Sequence, residues 1–256
     1  MCLIFVSLNN HPRYKLIIAA NRDEFYQRKT AAADFWSDHP EVLGGRDLEA
    51  NGTWMGMTRS GKISLLTNYR DPKNINPGAP SRGRLVSDYL ESEIEPETYL
   101  MKIEPNGNRY NGFNLLTGTV DELWYFSNYS KGVQKLSPGL HGLSNHLLDT
   151  PWPKVIRGKE RIRTILQPQD IDPDVLFEFL YDDQQAPDNQ LPDTDVGLER
   201  ERALSSMFIK SPGYGSRCST VVLVDQQNKV VFAERVYDLR TFEFTTKTFE
   251  FEMLRP

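Results

Sequence analysis

The sequence is poor in cysteine. It contains two cysteines in 256 residues, Cys2 and Cys218, and they form no CxxC pair. Two cysteines are too few for a disulfide framework, and without a CxxC pair the chain lacks the pattern of a zinc site, a redox dithiol or a covalently attached haem. Any cysteine chemistry in this protein should therefore use a single thiol.

Long apolar runs and concentrated positive charge are lacking as well. No run approaches the roughly 18 apolar residues of a membrane span, and the start has neither the charged region nor the long apolar region of a secretory signal. The net charge is -5, with Lys and Arg scattered along the chain, so no basic face is predicted that would neutralise phosphates. We expect a cytoplasmic protein that has no transmembrane segment and does not bind nucleic acid.

Patterns for metal and phosphate binding are weak. His141 and His146 lie five residues apart, which is neither the same-face spacing of a helix nor the even spacing of one strand face. The glycines of segments 44–47 and 51–56 suit tight turns, but no strand, glycine loop and helix follow one another there as phosphate binding requires. We therefore predict neither a metal site nor a required cofactor.

The sequence is instead rich in strand patterns near both ends and in helical patterns in the middle. Strand-forming runs occupy 2–8, 14–20, 52–58, 62–68, 110–118, 122–128, 219–224, 229–236 and 242–253. Helical spacing occupies 81–92, with Ser81 as N-cap, 151–166 and 173–183, and the Pro- and Asp-rich segment 182–195 is predicted to be a surface loop. This order predicts a layered α+β architecture in a single domain over residues 1–256.

The first two strands place a cysteine beside a polar cluster. They are joined by the turn sequence NNHPR, and antiparallel pairing about that turn sets Cys2 opposite Ala20, within one or two residues. The segment just past Ala20 reads Asn-Arg-Asp-Glu, residues 21–24. Polar groups that directly follow an apolar strand are costly to bury unless they serve a purpose.

The residues alone leave two interpretations of this hairpin open. In the first, removal of Met1 gives Cys2 a free α-amine, whose usual pKa is about 7.7 to 8.0 and which can act as general base for the thiol. Asp23 would hold that amine, and Arg22 would favour the thiolate. In the second, Cys2 is an ordinary buried apolar residue and the polar run is a turn with a salt bridge.

Eight sequence blocks resemble a known family. In order along the chain they read MCLIF, AANRDEF, ADFW, NGTWMGMT, LLTNYR, YNGFNLLTG, GLSNHLLDTPWPK and SPGYGSRCSTVVLVD. They resemble the blocks of the NRDE family, also called the transport and Golgi organisation protein 2 family, over essentially the whole chain. That family is similar to the N-terminal nucleophile (Ntn) hydrolases, so the resemblance implies their four-layer αββα sandwich.

The resemblance also implies roles for particular residues. Cys2 matches the nucleophile of the Ntn hydrolases that carry an N-terminal cysteine, and Asp23 matches the carboxylate that orients the terminal amine. Asn145 resembles the asparagine whose amide helps to form the oxyanion hole, and Asn68 is the expected second donor. Arg217 resembles the late arginine of the bile acid enzymes, near the nucleophile.

Other cationic residues and the second cysteine fit the pattern less directly. Those hydrolases carry Arg-Asn-x-Asp after the second strand, whereas this chain has Asn-Arg-Asp, so Arg22 is a candidate catalytic residue without an assigned role. Arg82 and Arg84 lie at a predicted helix start, where they steer an anionic substrate or are simply solvated. Cys218 begins an apolar strand and is interpreted as core packing.

The resemblance implies a hydrolase that cleaves the carbon–nitrogen bond of an unidentified small-molecule amide through an acyl-enzyme at Cys2. The alternative is a non-catalytic carrier on the same fold, because the family has been linked to haem trafficking and to lipid and acyl-CoA handling, and a fold does not fix a function. In that case haem is a ligand, held by Cys2 or a histidine, or an acyl chain occupies the pocket.

Overall fold

The computed structural model describes residues 2–254, which contain two seven-stranded antiparallel sheets and five α-helices. The strands are β1 (Cys2–Leu8), β2 (Tyr14–Phe25), β3 (Thr30–Phe35), β4 (Val42–Asp47), β5 (Met55–Thr58), β6 (Lys62–Asn68), β7 (Phe113–Thr119), β8 (Leu123–Ser127), β9 (Gln134–Lys135), β10 (Gly139–Leu143), β11 (Lys210–Ser211), β12 (Tyr214–Asp225), β13 (Lys229–Tyr237) and β14 (Phe244–Glu252). The helices are α1 (Gly83–Leu90), α2 (Pro96–Ile103), α3 (Pro153–Ile165), α4 (Pro173–Leu180) and α5 (Leu198–Leu204).

The two sheets pack face to face, with helices on both outer faces. The first sheet has the order β10-β1-β2-β12-β13-β14, with β11 paired to β12, and the second runs from β3 to β9 in chain order. Apolar side chains of both sheets form the central core. A second apolar cluster joins α3 and α4 to the first sheet, and a third joins α1 and α2 to the second sheet. The expected four-layer αββα sandwich is confirmed.

The first hairpin is longer than the sequence suggested. Cys2 pairs with Arg22, two residues beyond the predicted partner Ala20 and at the limit of the stated register error. Strand β2 continues to Phe25 because β12 pairs with it as far as that residue. The Asn-Arg-Asp-Glu segment therefore lies inside a strand, and the expectation that it merely follows one is wrong.

Several local expectations also differ from the structure. Helix α1 begins at Gly83 with Arg82 as its N-cap, so Ser81 is not the cap; its hydroxyl instead accepts a hydrogen bond from the Gly83 N–H at 3.4 Å. Gly44 lies within β4 rather than in a turn. A Cβ at Gly44 would approach the Met55 carbonyl oxygen to 2.6 Å, so glycine permits the close contact of β4 with β5.

The short elements were not visible in the sequence. Helices α2 and α5 have 8 and 7 residues, and β3 is largely exposed, so none of them carries a long periodic apolar pattern. None of the helices within residues 2–254 has the length and hydropathy needed to cross a membrane.

The contact between α3 and β1 depends on a glycine. A Cβ at Gly158 of α3 would lie 2.0 Å from Phe5 Cζ of β1. Although alanine favours a helix more than glycine does, the displacement of a buried ring outweighs that gain, so we expect Gly158→Ala to lower the free energy of unfolding by about 1 to 3 kcal/mol. Urea denaturation measures this change. The exposed Thr164→Ala on the same helix is the control and should stay within about 0.5 kcal/mol of the parent protein; an equal loss in both variants would contradict the packing argument.

Candidate active site

Cys2 is the first residue of β1 and lies on the wall of a cavity of about 290 Å³. Its side chain belongs to the core between the two sheets and is 6% exposed. Arg22, Asn68 and Arg82 line the same cavity. The first residue of β1, strand β2 in the centre of the first sheet and the last residue of β6 therefore line the same cavity.

The thiol of Cys2 is protonated near neutral pH in this environment. Burial raises the pKa of the Cys2 thiol above its ordinary value of 9.0, and the negative charge of Asp23 raises the pKa further. The charge of Arg22 and a hydrogen bond from the Asp23 backbone N–H to the sulfur act in the opposite direction. Formation of a thiolate at this position therefore requires a base.

Asp23 is buried on the helix-facing side of β2. Side chains alternate along a strand, so Asp23 shares the side of Asn21, whose amide donates a 2.9 Å hydrogen bond to the Leu180 carbonyl at the end of α4. The Ser216 hydroxyl donates to Asp23 Oδ1 at 2.6 Å from the neighbouring strand β12. Burial raises the pKa of Asp23, whereas the positive charge of Lys154 lowers it.

Lys154 is a functional candidate that the sequence analysis missed. It is the second residue of α3, its side chain is 1% exposed, and its Nζ has no hydrogen-bond partner among the described residues. Burial lowers the pKa of Lys154 to about 8, and the nearby Asp23 charge opposes that shift. Lys154 shares one helix face with Gly158 and Ile162, and this spacing was the available signal that the lysine points inward.

Asn68 and Asn145 lie next to each other, and their role as oxyanion donors stays a prediction. Asn68 ends β6 and faces the cavity, and Asn145 is fully buried just after β10. The Asn145 amide donates through Nδ2 to the Asn68 carbonyl oxygen at 3.0 Å. The Arg70 backbone N–H donates to the Asn145 carbonyl at 2.8 Å. These bonds fix the end of β6 next to Cys2.

Arg217 lies in a different position from the other predicted site residues. Its Nη1 donates to the carbonyl oxygens of Phe25 at 2.8 Å and Tyr26 at 3.2 Å, and so it holds the chain that follows β2. It lines a second cavity of about 110 Å³ together with Cys218, and it is not among the residues that line the cavity at Cys2. In this structure Arg217 is thus tied to the backbone, and its catalytic role stays a prediction.

Arg22 lies between the two cysteines. Cys2, Arg22 and Cys218 are direct neighbours across β1, β2 and β12, and Arg22 lines both cavities. Two strand spacings separate the cysteine Cα atoms by about 10 Å, which exceeds the roughly 7 Å limit of a disulfide. Burial raises the pKa of the Cys218 thiol, and Cys218 is part of the central core, as predicted.

Arg82 is not a solvated residue at a helix start. It lines the cavity of Cys2, and its Nη1 donates to the Gly112 carbonyl at 2.9 Å. Burial lowers the pKa of Arg82, and no carboxylate of residues 2–254 forms an ion pair with it. Arg84, in contrast, is half-exposed and pairs with Asp88 at 3.1 Å.

Both ring nitrogens of each candidate histidine are already hydrogen-bonded. His141 contacts Asp149 Oδ2 at 2.8 Å and the Ser137 carbonyl at 2.9 Å. His146 contacts the hydroxyls of Thr150 and Tyr69, each at 2.9 Å. A metal ligand needs a free ring nitrogen, so neither ring is prepared to bind one. Across residues 2–254, no three His, Cys, Asp or Glu side chains are grouped to hold a metal ion.

Comparison with known protein sequences gives matches over nearly the whole chain. The family described as Transport and Golgi organisation 2 matches residues 1–239. The Transport and Golgi organization 2 homolog of Mus musculus is 38% identical, over 99% of this chain and 99% of the mouse protein. The Transport and Golgi organization protein 2 of Drosophila melanogaster is 30% identical, over 91% of each chain.

Comparison with solved structures shows that the fold is shared with an amidase. The N-acylethanolamine-hydrolyzing acid amidase ortholog of Caenorhabditis elegans matches with a TM-score of 0.50, over 87% of this chain and 92% of the worm protein. The two sequences are only 12% identical. This likeness establishes a common Ntn-hydrolase fold and, at that identity, nothing about the substrate.

Replacement of Lys154 should change how stability depends on pH. Lys154 has a pKa of about 8 in the folded protein, against an ordinary value of 10.5, so between these values the unfolded chain binds the additional proton. The fold therefore gains stability from this group as the pH rises, and the wild type should gain up to about 3 kcal/mol relative to Lys154→Met. Urea denaturation at about pH 7.5 and about pH 9.5 measures this difference.

The exposed Arg163→Met on the same helix provides the control for that measurement. Its difference from the wild type should not change with pH, because the Arg163 side chain is exposed to solvent and lies outside the buried layer. A pH-independent difference for Lys154→Met as well would show that the lysine titrates normally in the folded protein.

Proposed function

This chain belongs to the transport and Golgi organisation 2 family, and we propose that it is an N-terminal-cysteine hydrolase that cleaves the carbon–nitrogen bond of a small-molecule amide. One observation carries the proposal. Cys2 lies at the start of β1 on a cavity wall, where the Asp23 backbone N–H donates a hydrogen bond to its sulfur. The fold that holds it is shared with an amidase. We also propose a cytoplasmic location.

The mechanism starts with removal of Met1, which makes the Cys2 nitrogen a free amine. That amine accepts the thiol proton, and the sulfur attacks the substrate carbonyl carbon. The C–N bond then breaks as the ammonium returns the proton to the departing nitrogen, which leaves an acyl group on sulfur. Water, deprotonated by the same amine, attacks the thioester carbon; the C–S bond breaks and releases the acid, and the ammonium returns its proton to the Cys2 sulfur.

The amides of Asn68 and Asn145 are proposed to stabilise the oxyanion of both steps. Donors of this kind must be fixed in advance where the charge develops. The hydrogen bond between the two asparagines and the burial of Asn145 support such fixation. Asp23, held by Ser216, is proposed to orient the amine.

The walls of the cavity favour a small substrate with an acidic group. A volume of about 290 Å³ lies just below the roughly 300 to 1,000 Å³ that small-molecule sites span. Arg22 and Arg82 both line it, and neither forms an ion pair with a described carboxylate, whereas the lining carboxylates of Glu24 and Asp47 both pair with Arg28. Their positive charges would attract an anionic substituent and repel a cationic one.

The thiol itself provides the test of the proposed reaction. Incubation of the chain that begins at Cys2 with a panel of N-acyl amides should give a single acyl adduct by intact mass, and Cys2→Ala should lose both adduct and hydrolysis, by about 10³-fold or more. Cys218→Ala is the matched control, because Cys218 is buried outside this cavity, and it should retain activity. Unchanged hydrolysis in Cys2→Ala would refute the mechanism.

A protein extended by one residue ahead of Cys2 tests the base. This form keeps the thiol but converts its amine to an amide, so it should bind substrates and fail to form the adduct. Equal rates of adduct formation would show that another group takes the thiol proton.

The second candidate, a carrier without catalysis, is favoured by the buried thiol. Burial raises the pKa of Cys2, which makes a poor nucleophile of any chain that retains Met1. Such a chain would bind haem, or the acyl end of an acyl-CoA, at this cavity without cleaving anything.

A haem titration followed by absorbance separates the carrier from the hydrolase. A carrier should give a saturable Soret shift that Cys2→Ala abolishes and His146→Ala leaves intact, because both nitrogens of His146 are already bonded. Absence of any saturable shift would exclude the haem form of the carrier.

A further inference from the structure

Four charged side chains are buried behind the Cys2 end of β1. Two are acidic, Asp23 and Glu201, and two are cationic, Lys154 and Arg70. Each of the four is at least nine-tenths buried. Their charges act on one another. The charges of the other three change the pKa of Lys154, and the charges of both acids raise the pKa of Arg70. We refer to these four residues as the Asp23 cluster.

Two members of the Asp23 cluster neutralise each other directly. Arg70 Nη1 donates to Glu201 Oε2 at 2.8 Å, and each side chain is 5% exposed. The Arg70 guanidinium also stacks over the Trp152 ring, with 4.7 Å from Cζ to the ring centroid. This pair is held by its own contacts, so Lys154 is the cation of the cluster that remains to balance Asp23.

Nothing in the folding of α3 calls for a lysine at position 154. The first turn of a helix disfavours a cation, because the unpaired N–H groups give that end a partial positive charge. Burial of an ammonium group without a hydrogen-bond partner adds a further cost. An apolar side chain at this position would pack beside Val155 and Ile162 and avoid both costs.

We propose that Lys154 is a positioning residue for the Cys2 centre, whose buried ammonium keeps the Asp23 carboxylate ionised so that it can hold the α-amine of a chain that begins at Cys2. This inference rests on the proposed function. Lys154 acts through Asp23 and does not touch the substrate, since it is buried behind the sheet and outside the cavity lining.

The electrostatics of Asp23 explain why a cation is needed. Burial favours the neutral acid, and a neutral acid is a poor partner for an ammonium group. Within residues 2–254, the charged and titratable groups that act on or with Asp23 are Cys2 from β1, Glu24 from β2, Tyr26 after it, Lys154 from α3, Arg70 after β6 and Tyr214 from β12. Among these described groups the cations are Arg70, which Glu201 neutralises, and Lys154.

The carboxyl group of Asp23 can be titrated directly. Protein labelled with ¹³C at the aspartate carboxyl carbons, with its start at Cys2 verified by intact mass, gives a signal for Asp23 that is assigned by its loss in Asp23→Asn. Lys154→Met should move the midpoint of that signal to higher pH by about one unit or more, which is the usual effect of losing a nearby opposite charge. Lys154→Arg keeps the charge and should restore the wild-type midpoint.

Two further variants keep the test decisive. Lys154→Gln is neutral and polar, so it should give the same shift even if Lys154→Met does not fold. Arg163→Met removes an exposed charge from the same helix and should leave the midpoint where it is. A folded Lys154→Gln or Lys154→Met protein whose Asp23 midpoint moves by less than about half a unit would overturn the proposal.

These outcomes separate the two proposals. The Asp23 midpoint needs no substrate, so a shift in a protein that hydrolyses nothing would support the role of Lys154 and refute the hydrolase. If Cys2→Ala abolishes hydrolysis, Lys154→Met leaves it unchanged and the Asp23 midpoint does not move, the hydrolase is supported and the role of Lys154 is refuted.

Discussion

The pairing of Cys2 with Arg22 is the constraint on which the rest of the site depends. It fixes which residues of β2 lie beside the thiol, and because side chains alternate, it also sends Arg22 to the core side of the sheet and Asp23 to the helix side. A shift by one residue would exchange these two positions. The central place of β2, between β1 and β12, holds the register from both edges.

The molecule also buries charged side chains close to the site. Asp23 and Lys154 lie in the layer between the first sheet and α3, where an uncompensated charge is costly. Folding alone would be served better by apolar residues at these positions. The concentration of such groups behind Cys2, which faces the cavity of about 290 Å³, is typical of a functional centre, where environments are arranged to change protonation.

Much of this arrangement could be predicted from the sequence, and the rest could not for definite reasons. Hairpin turn residues predicted the proximity of Cys2 to Asp23, and helical spacing predicted α3 almost to its ends. The depth of Lys154 and the inward position of Arg82 were not predictable in the same way, since a charged residue at a helix start is usually solvated. Helical spacing indicates the face that Lys154 shares with Gly158 and Ile162, but the depth of Lys154 and the position of Arg82 depend on how a helix packs on its sheet, which local spacing does not record.

Arg22 forms part of the wall between the cavities of about 290 Å³ and about 110 Å³. The side chains of Asp47 and Trp54 line both cavities as well. Backbone walls move only when a sheet deforms, whereas this partition carries side chains that rotate on fixed strands. The shape that the two cavities present to a ligand therefore depends on side-chain rotamers as well as on the fold.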